Sequence, residues 1–277
     1  YLHGDSDIFV VEACEYKNNF RFLVPHVLVV TNIEWDHTDF YPSFSDFQSA
    51  FRTMIEKVPV NGAIVTNPND KNIAPLLAGA KARVVDYTNE PAYKLRLPGE
   101  FNQNNARAAA ATARAVLLTI SDITIASALA DFHGTWRRFE YKGKNKNDAD
   151  VYDDYAHHPT AVKATLETLR AQAKGKIIVA FHPHLYSRTH DLLDEFAVAF
   201  SVADEVFVAP IYAAREVDDG SISSEILAEH IRATGTEATA LDFDAIEKRL
   251  NEVEQGDTII TMGAGDIYKV ADALVVK

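Results

Sequence analysis

Short apolar runs alternate with longer amphipathic stretches along the chain. "DIFVVEA" (7–13) and "HVLVVTNI" (26–33) read as strands, because brief β-branched runs with polar ends suit a parallel sheet covered on both faces. "SFSDFQSAFRTMIEKV" (43–58) carries Phe47, Phe51, Met54 and Ile55 at near-helical spacing, with Ser45 or Asp46 as the cap. Strands follow at "GAIVTN" (62–67) and "ARVVDY" (82–87), and alanine-rich helical periodicity begins near Asn105. "TIASALADF" (124–132) is a short helix starting near Ser121 or Asp122.

The polar stretch "HGTWRRFEYKGKNKNDAD" (133–150) reads as a turn or exposed hairpin and marks a domain boundary. Beyond it the alternation restarts. Strands are expected at 151–155, 176–182, 205–212, 238–242 and 257–265, and helices at 160–173, 189–203, 223–234, 244–256 and 266–276. The class is therefore α/β, with one domain over 1–135 and a second over 136–277. The second is Rossmann-like with a mostly parallel sheet.

Charge narrows the partners. Lys plus Arg is 27 and Asp plus Glu is 40, a net of −13. A general nucleic-acid or membrane-surface binder needs a basic face, so neither is expected. No apolar run approaches the ~20 residues that cross a bilayer, and no signal peptide is visible. The single cysteine, Cys14, suits a reducing compartment. The chain opens on Tyr1 rather than Met and reaches its first strand at once, which reads as the later part of a longer protein.

In open parallel sheets ligands bind where strands stop, so polar residues there are the site candidates. Glu12, after four apolar residues, is expected at the tip of a buried strand, where an acid needs a cation or a metal. His37 lies between Asp36 and Asp39 beyond the next strand. One carboxylate and one imidazole with spare water positions suit Mg²⁺ on a nucleotide phosphate; a helix cap and a surface histidine are the plain alternative. Asn102 and Asn105 in "PGEFNQNN" could meet an adenine edge or cap a helix. Arg137 and Arg138 suit phosphate oxygens, and strand alternation turns one of them to the cleft. "VYDDYAHHPTAV" (151–162) packs Asp153, Asp154, His157 and His158 together, open to metal binding, proton transfer, ligand recognition or a plain helix start. His182, His184 and Arg188 follow a strong strand; Arg188 is placed to grip an anion, while nearby residues do not support zinc. "MGAGD" is a weak dinucleotide signal.

In sequence, "EACEY", "TNIEWDH", "PGEFNQNN", "GTWRRFE", "DDYAHHPT", "HPHLYSRT" and "MGAGDI" resemble the Mur ligase family over nearly the whole chain. The likeness is strongest to the branch that joins L-alanine to UDP-N-acetylmuramate. It implies a bacterial, cytoplasmic, ATP-dependent ligase with Mg²⁺ and three domains. ATP phosphorylates the lactyl carboxylate, and the amine of L-alanine attacks the acyl phosphate. By motif match the resemblance places Glu12 and His37 on Mg²⁺, Asn102 and Asn105 near adenine, and Arg138 and Asp154 on the nucleotide. His158, His184 and Arg188 face the acyl-phosphate and amino-acid end.

Two departures stand out. The family's Gly-Lys-Thr P-loop is absent, and Lys142–Lys146 is no substitute; the sugar-binding N-terminal domain is absent too. On this reading the chain is a truncated P-loop-type central ATPase domain plus the whole last domain, without turnover alone. Phe101 stands where this branch often has His, and Arg52 where some sister ligases carry a carbamoylated lysine. The alternatives are a murein-recycling ligase that adds a tripeptide, a non-catalytic nucleotide-binding module, and a dehydrogenase-type domain favoured only by "GAG".

Overall fold

The computed structural model describes residues 4–275. Two compact units are present: Tyr1–Glu90 with Ala108–Ile120, and Pro91–Arg107 with Ser121–Lys277. The sequence-derived boundary at 135 lies inside the second unit.

The first unit holds a parallel sheet of β1 (Val27–Val30), β2 (Ala63–Thr66) and β3 (Arg83–Asp86), in that spatial order. Helix α1 (Phe44–Lys57) buries Phe47, Ala50, Met54 and Ile55 in one core with Phe20, Val30, Ile33 and Ile64. Its cap is Ser43, upstream of the expected Ser45 or Asp46: Ser43 is extended, and its hydroxyl accepts from the Asp46 N–H.

The expected strand over 7–13 does not form. Ile8, Phe9, Val10 and Val11 are between 41% and 87% exposed, and among the described residues this run pairs with no strand. An apolar β-branched run becomes a strand only where a neighbour takes up its N–H and C=O groups. Here β1 pairs with β2 alone among the described strands. Glu12, accordingly, is an exposed residue in extended chain and not a buried strand tip.

Helix α2 (Glu100–Val116) begins earlier than Asn105, and α3 (Asp122–Asp131) starts at the expected Ser121 cap. The polar stretch forms the predicted hairpin, β4 (Glu140–Lys144) antiparallel to β5 (Asp150–Asp154). Then follow α4 (Pro159–Arg170), β6 (Ile177–Phe181), α5 (Tyr186–Asp191), α6 (Leu193–Ala199) and β7 (Glu205–Val208). The chain continues through α7 (Ser224–Ala233), β8 (Glu237–Ala240), α8 (Phe243–Leu250), β9 (Thr258–Met262) and α9 (Tyr268–Leu274). The single helix expected over 189–203 starts sooner and breaks at Leu192, whose φ of −115° and ψ of 27° are not helical. The helix expected to reach 256 stops at Leu250, and Val276 of the last expected helix lies outside the described residues.

The second unit's sheet runs β4-β5-β9-β6-β7-β8, parallel apart from the first pair. All five residues of β6 and of β9 are buried, as expected of central strands covered on both faces. Helices α4 and α6, which follow β5 and β6, pack against each other, whereas α9, which follows β9, turns back against β5. The connections thus leave neighbouring strands in opposite directions at the C-terminal end of β9, where an open sheet offers a ligand crevice.

Candidate functional site

Three segments meet around that crevice. Past β6, the His182 N–H donates to the Met262 carbonyl at 2.8 Å; past β9, the Gly263 N–H donates to the Asp154 carbonyl at 3.1 Å. Beyond β6 and β7 the pairing continues irregularly, with Tyr212 donating to Pro183 and Leu185 donating to Tyr212. Leu185 has φ +73°, a left-handed conformation that a branched side chain adopts only when its surroundings impose it.

This turn brings Arg188 back onto His184. Arg188, 2% exposed, donates from Nη1 to His184 Nδ1 at 3.0 Å and to the His184 carbonyl at 3.1 Å. A guanidinium cannot accept, so His184 Nδ1 carries no proton in this contact. The His184 ring lies 5.5 Å from Tyr212 and 6.0 Å from His157, centroid to centroid. His157 Nδ1 sits 2.9 Å from the Tyr155 carbonyl, which can only accept, so that nitrogen is protonated. His158 is the N-cap of α4, with no side-chain capping bond. Two of the three residues expected at the acyl end, His184 and Arg188, thus touch each other. The ring beside them is His157, and Tyr212 joins from β7's extension.

Below the crevice lies a buried ionic network. Arg137, 2% exposed, donates from Nε to Asp153 Oδ2 at 2.8 Å, from Nη1 to the Gly265 carbonyl and from Nη2 to the Gly263 carbonyl. Thr261 donates to the other Asp153 oxygen at 2.6 Å. Burial raises the Asp153 carboxyl above its ordinary range, with the Arg137 and Thr261 hydrogen bonds opposing it. Asp154 is also buried and raised by burial; its carboxylate accepts from the Ala156 and Phe139 N–H groups and from the Thr165 hydroxyl. Its visible work is to shape the strand-to-helix turn.

Of the arginine pair, Arg137 is inside and Arg138 exposed. Both lie in the turn before β4 rather than in a strand, so the left-handed backbone at Arg137 (φ +59°), not strand alternation, separates them. Arg138 lies 5.3 Å over the Tyr155 ring and lines a cleft of about 360 Å³ with Arg96, Leu97, Tyr141 and Tyr152. Asn102 and Asn105 do not line that cleft. Asn102 donates its amide to the Pro98 carbonyl at 2.6 Å, inside the first turn of α2, and Asn105 is exposed further along it. Phe101 lines a separate hollow with Thr168 and Gln172.

His182 is a further buried group, 3% exposed, with its pKa brought down to about 4 chiefly by burial. Gly265 packs against its imidazole so closely that a Cβ there would overlap the ring. Gly265→Ala is expected to lower the unfolding free energy by about 1–3 kcal/mol, the usual cost of overpacking. Chemical denaturation would measure it, and a change below about 0.5 kcal/mol would show that the ring has room to move.

In the first unit, His37 pairs with Glu15 rather than being shown with Glu12. His37 Nε2 lies 3.0 Å from Glu15 Oε1, while His37 Nδ1 is buried with no hydrogen-bond partner among the described residues. Burial pushes the Glu15 carboxyl up, but hydrogen bonds from His37 and from backbone bring it below its usual value. Among the described residues no group of three or more His, Cys, Asp or Glu forms a metal cage. The unpartnered Nδ1 nevertheless fits a divalent cation that takes one imidazole and completes its shell with water and phosphate oxygens. Among those residues, too, no helix is long and apolar enough to cross a membrane.

Sequence reasoning missed Glu15 and Tyr212, and it set His158 rather than His157 beside His184. Glu15 sits in the same "EACEY" as Glu12, and only a helical turn at 16–22, invisible in the apolar pattern, brings it to His37. Tyr212 ends the apolar run 205–212, of which Glu205–Val208 alone is regular strand.

Comparisons with known proteins agree over most of the chain. The family model "Mur ligase middle domain" matches residues 2–94, and "Mur ligase, glutamate ligase domain" matches 137–265. A UDP-N-acetylmuramate–L-alanine ligase from Clostridium botulinum is 38% identical over 302 aligned positions, which take in 98% of this chain and 65% of that protein. The chain thus spans about two-thirds or slightly less of that relative's length. The crystal structure of UDP-N-acetylmuramate-alanine ligase from Thermotoga maritima superposes with a TM-score of 0.67 at 25% identity, covering 93% of this chain and 60% of that one. A murein peptide ligase from Psychrobacter arcticus shares the fold, with a TM-score of 0.62 at 22% identity over 94% of this chain and 60% of that one.

Proposed function

The chain belongs to the Mur ligase family, and on that premise we propose that it serves an ATP-dependent, amide-forming ligase of peptidoglycan precursor synthesis in the bacterial cytoplasm. Its substrates are UDP-N-acetylmuramate and L-alanine, and its domains run over 1–135 and 136–277. The observation that carries this reading is the Arg188–His184 pair at the C-terminal sheet edge, beside His157 and Tyr212. It is a cationic and aromatic cluster whose chemistry suits a carboxylate and an acyl phosphate.

The chemistry balances in two steps. A carboxylate oxygen takes the γ-phosphoryl group of ATP, releasing ADP. The neutral amine then attacks the acyl carbon, and the tetrahedral adduct expels phosphate and loses a proton to give the amide. Arg188, locked by His184, offers fixed positive charge to the anionic groups; His158 stands at the N-cap of α4. Arg138, exposed over Tyr155, and Asn102 and Asn105 are the proposed nucleotide contacts, with Asp154 holding the loop between them and α4 in shape. Glu12 and His37 would hold Mg²⁺, which when bound neutralises charge on the transferring phosphoryl group.

Phosphate release tests this on the intact gene product that carries the chain, with ATP, Mg²⁺ and UDP-N-acetylmuramate. Release that depends on L-alanine, and falls at least about tenfold in kcat/KM in Arg188→Ala, is the expected result. Thermal unfolding of the variant separates lost chemistry from lost folding. Release with a tripeptide but not L-alanine would move the assignment to a recycling ligase. Release with neither would sink the ligase reading in favour of a nucleotide-binding module.

A further inference from the structure

Building on the reading of His37 as a metal ligand, we infer that Glu15 is its positioning residue: Glu15 accepts a hydrogen bond from the Nε2–H and so keeps the Nδ1 lone pair for a hard divalent cation. The argument starts from one contact, His37 Nε2 to Glu15 Oε1 at 3.0 Å. An ionised carboxylate only accepts, so Nε2 is the protonated nitrogen. In the neutral ring the lone pair then resides on Nδ1, the atom that is buried and without a hydrogen-bond partner among the described residues. Leaving such an atom unsatisfied is costly, and a bound cation would satisfy it. Ligating histidines commonly give their other N–H to a carboxylate, which sets tautomer and ring orientation.

The surroundings hold both partners in place. The Tyr41 hydroxyl donates to the Glu15 carbonyl at 2.6 Å, and Trp35 donates its indole N–H to the Tyr41 carbonyl at 3.0 Å. His37 has φ +54°, uncommon for a residue with a side chain, and its N–H donates to Asp36 Oδ1 at 2.6 Å. Phe40 and Tyr41 donate back to the His37 carbonyl, and the Tyr16 ring lies 4.9 Å from the imidazole. The left-handed backbone and the ring contact turn the imidazole toward Glu15. That is pre-organisation of a ligand rather than a chance surface ion pair.

The test uses long-range proton–nitrogen NMR of the 277-residue chain, with Mn²⁺ alone as the probe cation. His37 is expected as the Nε2–H tautomer, with Mn²⁺ broadening its Nδ1 signal. Glu15→Ala should mix the tautomers and raise the Mn²⁺ dissociation constant about 10- to 100-fold. Glu15→Gln, whose carbonyl can still accept the Nε2 proton, should restore the tautomer and most of the affinity, which a purely structural role for Glu15 would not predict. An Nδ1–H tautomer in the unsubstituted chain, or an unchanged tautomer and affinity in Glu15→Ala, would overturn the positioning role. If Mn²⁺ broadens His37 equally in both, His37 remains a ligand and only Glu15's part is lost. No broadening of His37 at all would overturn the metal reading itself.

Discussion

Replacing Arg137 with Met is expected to lower the unfolding free energy by about 3–5 kcal/mol, the usual loss when one partner of a buried pair is removed. The magnitude follows from what is left behind. Asp153 is fully buried, and its remaining side-chain donor is the Thr261 hydroxyl. Without Arg137 the carboxylate must stay charged in a dry site or take up a proton, and the Gly263 and Gly265 carbonyls lose their donors as well. Methionine fills much of the volume, so lost packing is a small part of the effect. Asp153→Asn keeps shape and the Thr261 contact, yet leaves the guanidinium buried without its counter-charge, so it should also be costly. If the pair acts as a unit, the double variant will be less unstable than the sum of the singles, by about 1–3 kcal/mol. Guanidinium unfolding of all four proteins measures this. A loss under about 1 kcal/mol in Arg137→Met would show that water reaches Asp153 and that the network is not the brace described here.

That network also shows where sequence reading succeeds and where it stops. The buried strands were legible because their signal is local: β6 is an unbroken apolar run and β9 carries Ile259, Ile260 and Met262 among β-branched threonines, and burial of all five residues in each is what such runs imply. The hairpin was legible from its polar turn. "DIFVVEA" carries the same local signal and fails, since a strand needs a partner and that requirement is not written in its own residues. At the site, the sequence located the strand ends but not the pairings across them. Arg137 and Asp153 are 16 residues apart, and Arg137 and Gly265 are 128 apart. Which arginine of "WRRFE" goes inside is decided by the left-handed backbone at Arg137 and Phe139, whose φ values are +59° and +49°. Likewise Glu15 and Glu12 look alike in the sequence, and only the turn after them selects the one that reaches His37.

Acid is expected to destabilise the second unit through His182 in a window that ordinary carboxylates do not explain. The imidazole is 3% exposed, edge-on to Tyr212 and Phe243, and tightly covered by Gly265. Burial holds its pKa down to about 4, against 6.5 for an ordinary histidine; Asp266 pulls it up, and nearby Arg137 adds to the depression. Between these values the unfolded chain binds a proton that the folded chain refuses. Stability from the neutral ring is therefore full above about pH 6.5 and is lost as the pH falls toward 4. At about 1.4 kcal/mol per tenfold change in proton affinity, the loss by pH 4 is about 3 kcal/mol. His182→Gln removes the titration while keeping a side-chain amide that can donate to the Pro210 carbonyl, the backbone partner of the imidazole. Urea unfolding of both proteins at pH 7 and pH 4 isolates the effect, because the carboxylates titrate in each and cancel in the difference. The native chain should lose about 3 kcal/mol more than the variant on acidification. Equal losses would mean that the ring takes its proton in the folded state at an ordinary pH, which requires water or a carboxylate to reach it past Gly265.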